Sequence, residues 1–211
     1  MNRKVLGILI PYYKNSQACE DAFKELMEQL DQQLTGDMLL YIYEDGQTSD
    51  WLYEYQSFNV KIVSNDTNKG VSHARNEGID YLIDKVEYIL FMDSDDKVSD
   101  DYLDMMYKYC ADRTHEFVES SFNVNGVLTT YDSKLVRSTP VGTAVKVEVI
   151  NWHRFDETLQ IGEDTNFIHD ICDLNLYRKR HAPTCYFYQL GINNDSLTMR
   201  YQRNEIDKER S

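Results

Sequence analysis

Four short apolar blocks, VLGILI at 5–10, LLYIY at 39–43, VKIV at 60–63 and YILFM at 88–92, set the plan of the first half of the chain. Each has the length and the β-branched or aromatic content of a buried strand. Between the first and second, Ala18, Ala22, Phe23, Leu26, Met27, Leu30 and Leu34 recur at three- and four-residue spacing, an amphipathic helix that ends near Gly36. Between the third and fourth, Val71, Ala74, Gly78, Ile79, Leu82 and Ile83 repeat the pattern. The alternation predicts a βαβαβ order, hence an α/β fold whose central sheet is mainly parallel and flanked by helices. Beyond residue 112 the pattern weakens to β-like segments around 117–124, 127–136 and 141–150 and a helix from Glu163 to Cys172.

Ligands of such sheets sit beyond the carboxyl ends of the strands. The polar signals fall there: PYYKNS, EDGQTSD, NDTNKG and DSDD each follow one of the four blocks. The last is the most demanding. Asp93, Asp95 and Asp96 crowd together where a buried strand ends, and like charges that close disfavour one another's ionised form unless a cation or donors compensate. Asp100, Asp101 and Asp104 need no such explanation, since Ser99 reads as the N-cap of a following helix whose positive end favours acids. A helix–loop–helix calcium loop is excluded: Lys97 stands at a ligand position, Val98 where the turn needs glycine, and a strand precedes the motif.

Two further charges stand out. Arg75 falls within the apolar stripe of its helix, so its guanidinium needs a partner there, either a carboxylate such as Asp45 or Glu44 or an anionic ligand. Glu163 and Asp164 open the last helix, a position where acids also serve as ordinary capping residues. The five histidines show no metal-ligand spacing, and the four cysteines form no C-x-x-C pair, as expected of reduced thiols in a cytoplasmic protein. A net charge of −14 argues against a nucleic-acid-binding surface. Pro11 cuts the first apolar run too short for a transmembrane span or a secretory leader.

Taken in order, ILIPYYKNS, YIYEDGQTSD, NKGVSHARNEGI, ILFMDSDD and FDETLQIGEDTNF resemble the family 2 glycosyltransferases of the GT-A fold, with a fainter echo in YFYQLGINNDSLT. The resemblance implies a Rossmann-like domain over 1–203, its nucleotide-binding half at about 1–97 and a smaller mixed acceptor-side half at about 98–203, before a frayed tail at 204–211. It implies transfer of a sugar, with inversion, from a nucleotide-sugar donor, expected to be a UDP-sugar, to a glycan or other hydroxyl acceptor. Pro11, Tyr12, Tyr13, Glu44, Asp45, Asn68, Arg75, Asp93 and Ser94 would hold the donor nucleotide. Asp93 and Asp95, supported by Asp96, would match the D-x-D motif that binds Mn²⁺ or Mg²⁺. Asp164, with Glu163 beside it, would be the catalytic base.

Two departures from the family pattern are Glu44–Asp45, where two aspartates are usual, and Gln47 in place of serine. The physical argument runs parallel to the resemblance, because a nucleoside diphosphate against three aspartates is untenable without a divalent cation. Two other classes fit parts of the pattern: a phosphohydrolase using a D-x-D aspartate, and a sugar-nucleotide-binding module that does no chemistry. Self-association is left open.

Overall fold

The computed structural model describes residues 3–46, 48–124, 126–129, 139–172 and 178–189. The expected βαβαβ order is present as β1 (Lys4–Tyr12), α1 (Gln17–Asp31), β2 (Met38–Asp45), β3 (Val60–Asn65), α2 (Val71–Leu82) and β4 (Val86–Phe91), with a 3₁₀ turn at Asp50–Tyr55. β5 (Lys97–Val98), α3 (Tyr102–Ala111), β6 (Phe117–Val124), β7 (Val127–Thr129), β8 (Thr143–Lys146), α4 (Val147–Ile150), α5 (Glu163–Ile171) and β9 (Lys179–Tyr188) follow. The strands form one sheet in the order β3-β2-β1-β4-β8-β6-β9-β5, with β7 paired to β6. The first four are parallel, while β8 runs antiparallel to both β4 and β6. The order reverses at β1, which lies between β2 and β4, so a crevice opens beyond the carboxyl ends of these strands.

Strand alternation explains the two cores. In β2, Met38, Leu40 and Ile42 join Phe23, Leu26 and Met27 of α1 on one face, while Leu39, Tyr41 and Tyr43 pack with Ala74, Ile79 and Leu82 of α2 on the other. Ser16 caps α1 by accepting a hydrogen bond from the Cys19 N–H at 3.3 Å. Gly78 is required for close approach, since a Cβ there would lie 1.7 Å from Leu9 Cδ1.

Several local expectations are corrected. α1 ends at Asp31, and its last apolar residue, Leu34, packs on the core from the turn beyond it. Ser99 does not cap α3. That helix begins three residues later, while the Ser99 N–H donates to Cys185 O and its hydroxyl bonds Asp101 and Thr184, so pairing with β9 holds the serine away from the helix end. The 141–150 segment is strand only over Thr143–Lys146 and then turns into α4. Val147, Val149 and Ile150 are buried there, and an apolar run does not by itself separate a strand from a buried helical turn. Of 127–136, the strand covers 127–129, and 130–136 lie outside the described residues. β9 has no counterpart in the sequence reading, because Pro183 breaks the strand pattern. It sits in a register shift, where Ala182 pairs with Ser120 and Cys185 with Ser121, leaving proline outside the ladder.

Candidate active site

The crevice gathers residues from four elements around one cation. Arg75 reaches it from α2 and is only 3% exposed, as its place in the apolar stripe requires. Its Nη2 donates to Asp93 Oδ1 at 2.9 Å, at the end of β4. Its Nη1 donates to Asp164 Oδ1 at 2.5 Å and to Glu163 Oε1 at 3.3 Å, both in the first turn of α5. The guanidinium also lies over the Phe155 ring, 5.2 Å from its centroid. Neither Glu44 nor Asp45, the partners offered by the sequence, is the one used: the ends of β4 and α5 arrive nearer. Burial alone would lower the arginine's proton affinity, but the charges of Asp164, Asp93 and Glu163 outweigh it and the net direction is upward.

One guanidinium does not neutralise this many acids. Burial raises Asp93 above the ordinary carboxylate range, with Arg75 opposing and Asp164 adding to the rise. Asp95 is pushed up to about 6 by burial and by the Asp93 charge. Asp96 is raised well above its ordinary value by burial, then by Asp93 and Asp95, and Glu163 is raised by burial and by Asp164. Asp96 Oδ1 accepts from the Gln189 N–H at 2.9 Å, its Oδ2 is buried, and the nearby Tyr186 hydroxyl favours the charged carboxylate. Among the described residues no three His, Cys, Asp or Glu side chains converge as a ready metal site. The buried second oxygen of Asp96, the excess of negative charge and the all-oxygen donor set nonetheless fit a hard divalent cation that takes its remaining ligands from phosphate and water.

The expected nucleotide-side residues divide into those facing the crevice and those that build it. Pro11 is half-buried and Tyr13 is 47% exposed beyond β1. Tyr12, expected beside the nucleoside, has its side chain in the core, 1% exposed with its ring 4.3 Å from that of Phe23. Strand alternation puts it on the α1 face, opposite its neighbours. Asp45 accepts from the Lys69 N–H at 2.9 Å and the Gly70 N–H at 2.7 Å, fixing the loop that starts α2. Glu44 is fully buried: its Oε2 accepts from Ser64 Oγ at 2.7 Å, and its Oε1 has no partner. Asn68 is exposed and accepts from the Gly70 N–H, and Ser94 lies half-buried between Asp93 and Asp95. Gln47 lies outside the described residues.

Three residues to which the sequence reading gave no role complete the site, Asn76 and Tyr186 lying within quoted motifs and Thr139 outside them. The Tyr186 hydroxyl accepts from the Asp93 N–H at 2.9 Å, Thr139 Oγ1 donates to Asp164 Oδ2 at 2.7 Å, and Asn76 brackets Phe155 by bonding both its N–H and its C=O. Only Asn76 left a local signal, as a polar residue beside Arg75 on the buried side of α2.

Known structures similar to this one share the fold. S. aureus TarS, residues 1–349 in complex with UDP-GlcNAc, superposes with a TM-score of 0.73 at 18% identity, over 92% of this chain and 60% of that one. Mannosyltransferase PcManGT from Pyrobaculum calidifontis, in complex with GDP-Man and Mn²⁺, gives a TM-score of 0.65 at 14% identity, over 100% of this chain and 66% of that one. The chain thus spans about 60% of the length of the TarS fragment it matches. No curated protein matches it. The profile of glycosyl transferase family 2 matches residues 7–184, a span that runs from the β1 core through the acidic crevice to β9, and the chain belongs to that family.

Proposed function

We propose that the protein transfers a sugar from a nucleotide-sugar donor, a UDP-sugar, to an acceptor hydroxyl with inversion, using Mn²⁺ or Mg²⁺. The observation that carries this reading is the convergence of Asp93, Glu163 and Asp164 on Arg75 at the carboxyl edge of a parallel sheet, with Asp95 close enough to Asp93 to feel its charge. That TarS binds UDP-GlcNAc and PcManGT binds GDP-Man with Mn²⁺ supports it at the level of the fold.

In this reading Glu44 lies at the nucleoside end, its buried and unpartnered Oε1 accepting from the N–H of a uracil ring once the base displaces the side chains that cover it, and Asp45 acts indirectly by fixing the loop before α2. Asp93 bonds the ribose. Asp95, with Asp93 and Asp96 behind it, would hold the cation, which when bound would offset the charge of the diphosphate leaving group. Asp164 accepts the acceptor's proton as the hydroxyl oxygen attacks the anomeric carbon. The bond from that carbon to the phosphate oxygen breaks, and its electron pair leaves with the diphosphate. Attack from the face opposite the leaving group inverts the anomeric centre. A phosphohydrolase has no support from the family match, and an inert binding module is distinguished by whether donor is consumed. Among the described residues no helix is long and apolar enough to cross a membrane.

The test is release of UDP from UDP-GlcNAc and UDP-glucose in the presence of Mn²⁺, compared between wild type and Asp164→Asn. Turnover should fall by about 100-fold or more, the scale of a lost general base, with UDP binding retained. Turnover that survives the substitution removes Asp164 from the role.

A further inference from the structure

Resting on the role of Asp164 just given, we propose that Thr139 is the positioning residue for that carboxylate: its hydroxyl fixes the rotation of Asp164 so that the base faces the acceptor and does not collapse onto Arg75. Asp164 is held from both ends. Oδ1 takes the Arg75 hydrogen bond at 2.5 Å and Oδ2 takes the Thr139 hydroxyl at 2.7 Å. The direction of the second bond is determined. Thr139 Oγ1 accepts from the Val141 N–H at 3.2 Å, and an ionised carboxylate can only accept, so the single hydroxyl hydrogen goes to Asp164.

The loop carrying Thr139 is itself anchored. The Gly142 N–H donates to Phe91 O at 2.8 Å and the Thr143 N–H to Pro140 O at 2.9 Å, which ties the threonine to the end of β4, two residues before Asp93. The donor and base sides of the site are therefore both anchored at the end of β4.

An aspartate's terminal torsion is soft, so one hydrogen bond leaves a carboxylate free to rotate. With Arg75 alone, the carboxylate could turn both oxygens toward the guanidinium in a two-pronged pairing that would take Nη2 away from Asp93. A neutral hydroxyl prevents this without adding a second positive charge, which would weaken the carboxylate as a base by favouring its anion. Arginine supplies the electrostatic anchor and threonine the orientation.

The experiment compares Thr139→Val, which keeps the shape and removes the donor, with Thr139→Ser, which restores the donor. Nucleoside diphosphate release from UDP-GlcNAc, UDP-glucose and GDP-mannose is measured with Mn²⁺, alongside the melting temperature. Thr139→Val should lower kcat by about 10- to 100-fold at unchanged donor KM and melting temperature, the scale of a misplaced reacting group, and Thr139→Ser should recover most of it. Should the valine variant not fold, Thr139→Ala compared with Thr139→Ser gives the same reading. A kcat equal to wild type in the variant lacking the hydroxyl, with Asp164→Asn inactive, overturns the proposal and leaves the function intact. A raised donor KM at unchanged kcat also overturns it, making Thr139 a donor contact. Wild-type turnover in Asp164→Asn, or none in the wild-type protein, overturns the underlying reading and this proposal with it.

Discussion

Arg75 Nη1 lies 2.5 Å from Asp164 Oδ1, although the two residues are 89 positions apart in the chain. Through its other nitrogen the same guanidinium holds Asp93, so one buried cation links the end of β4 to the start of α5. The side chains of Asp93 and Asp164 are still 26% and 24% exposed, which leaves both carboxylates partly in contact with water.

Replacing Arg75 by methionine would preserve much of the packing over Phe155 while leaving three acids without their counter-charge. Breaking a buried pair by removing one partner costs about 3–5 kcal/mol, and the partial exposure of two carboxylates places the expected loss near the lower end, at about 3 kcal/mol. Urea unfolding at pH 7.5 measures it. A loss below about 1 kcal/mol, the range of a surface pair, would mean that water already screens the cluster.

The acid cluster should make stability depend on pH in an unusual direction. Asp95 is raised to about 6 in the folded protein, and Asp93, Asp96 and Glu163 shift the same way. A carboxyl raised on folding binds more protons in the folded state than in the unfolded chain. Its stabilising contribution is complete below the unfolded value, about 4, and is lost as pH rises through about 6. Metal-free protein should therefore melt at a higher temperature at pH 5 than at pH 7.5. Since a cation and protons compete for the same oxygens, the stabilisation by Mn²⁺ with UDP should be larger at pH 7.5 than at pH 5. Differential scanning fluorimetry across this range would count against the cluster if the two profiles ran parallel.

Glu44 and Asp45 are adjacent, yet their substitution should have opposite signatures. Asp45→Ala removes the acceptor of the Lys69 and Gly70 N–H groups and should cost about 1–3 kcal/mol of stability. Glu44→Gln keeps the shape and can still accept from Ser64, but it can turn an N–H₂ toward the position where a uracil N–H would point. UDP affinity measured by calorimetry should fall about tenfold or more, the usual penalty for a mispaired buried hydrogen bond, at little change in stability. Equal effects of both changes on UDP binding would show that the division is wrong.

Gly78→Ala should be among the most damaging single-methyl additions in the protein. The new Cβ would lie 1.7 Å from Leu9 Cδ1 and 3.1 Å from Tyr41 Cδ1, so α2 would have to lift from the sheet. Overpacking of this kind costs about 1–3 kcal/mol or more. Because Arg75 rides on the same helix, turnover should drop further than the stability loss explains. Kinetics measured well below the melting temperature separate the two effects.

Much of the outcome is local and therefore readable along the chain. Unbroken apolar blocks mark β1, β2 and β4 as strands buried on both faces, and three- to four-residue spacings specify which faces of α1 and α2 are buried. The polar strand ends place the crevice, the crowding of Asp93, Asp95 and Asp96 announces a deficit of positive charge, and the position of Arg75 in an apolar stripe demands a partner. What periodicity does not carry is the choice of partner across a long loop. The sequence offered Asp45 and Glu44 to Arg75, while the fold brings Asp93, Glu163 and Asp164 to it and turns Asp45 to the backbone of the loop before α2. Thr139 meeting Asp164, Tyr186 meeting Asp93 and β9 lying beside β6 likewise arise only when distant elements are packed together. Sequence spacing records how a segment meets the core, whereas the pairing of buried charges and donors is settled by which elements the sheet topology makes neighbours.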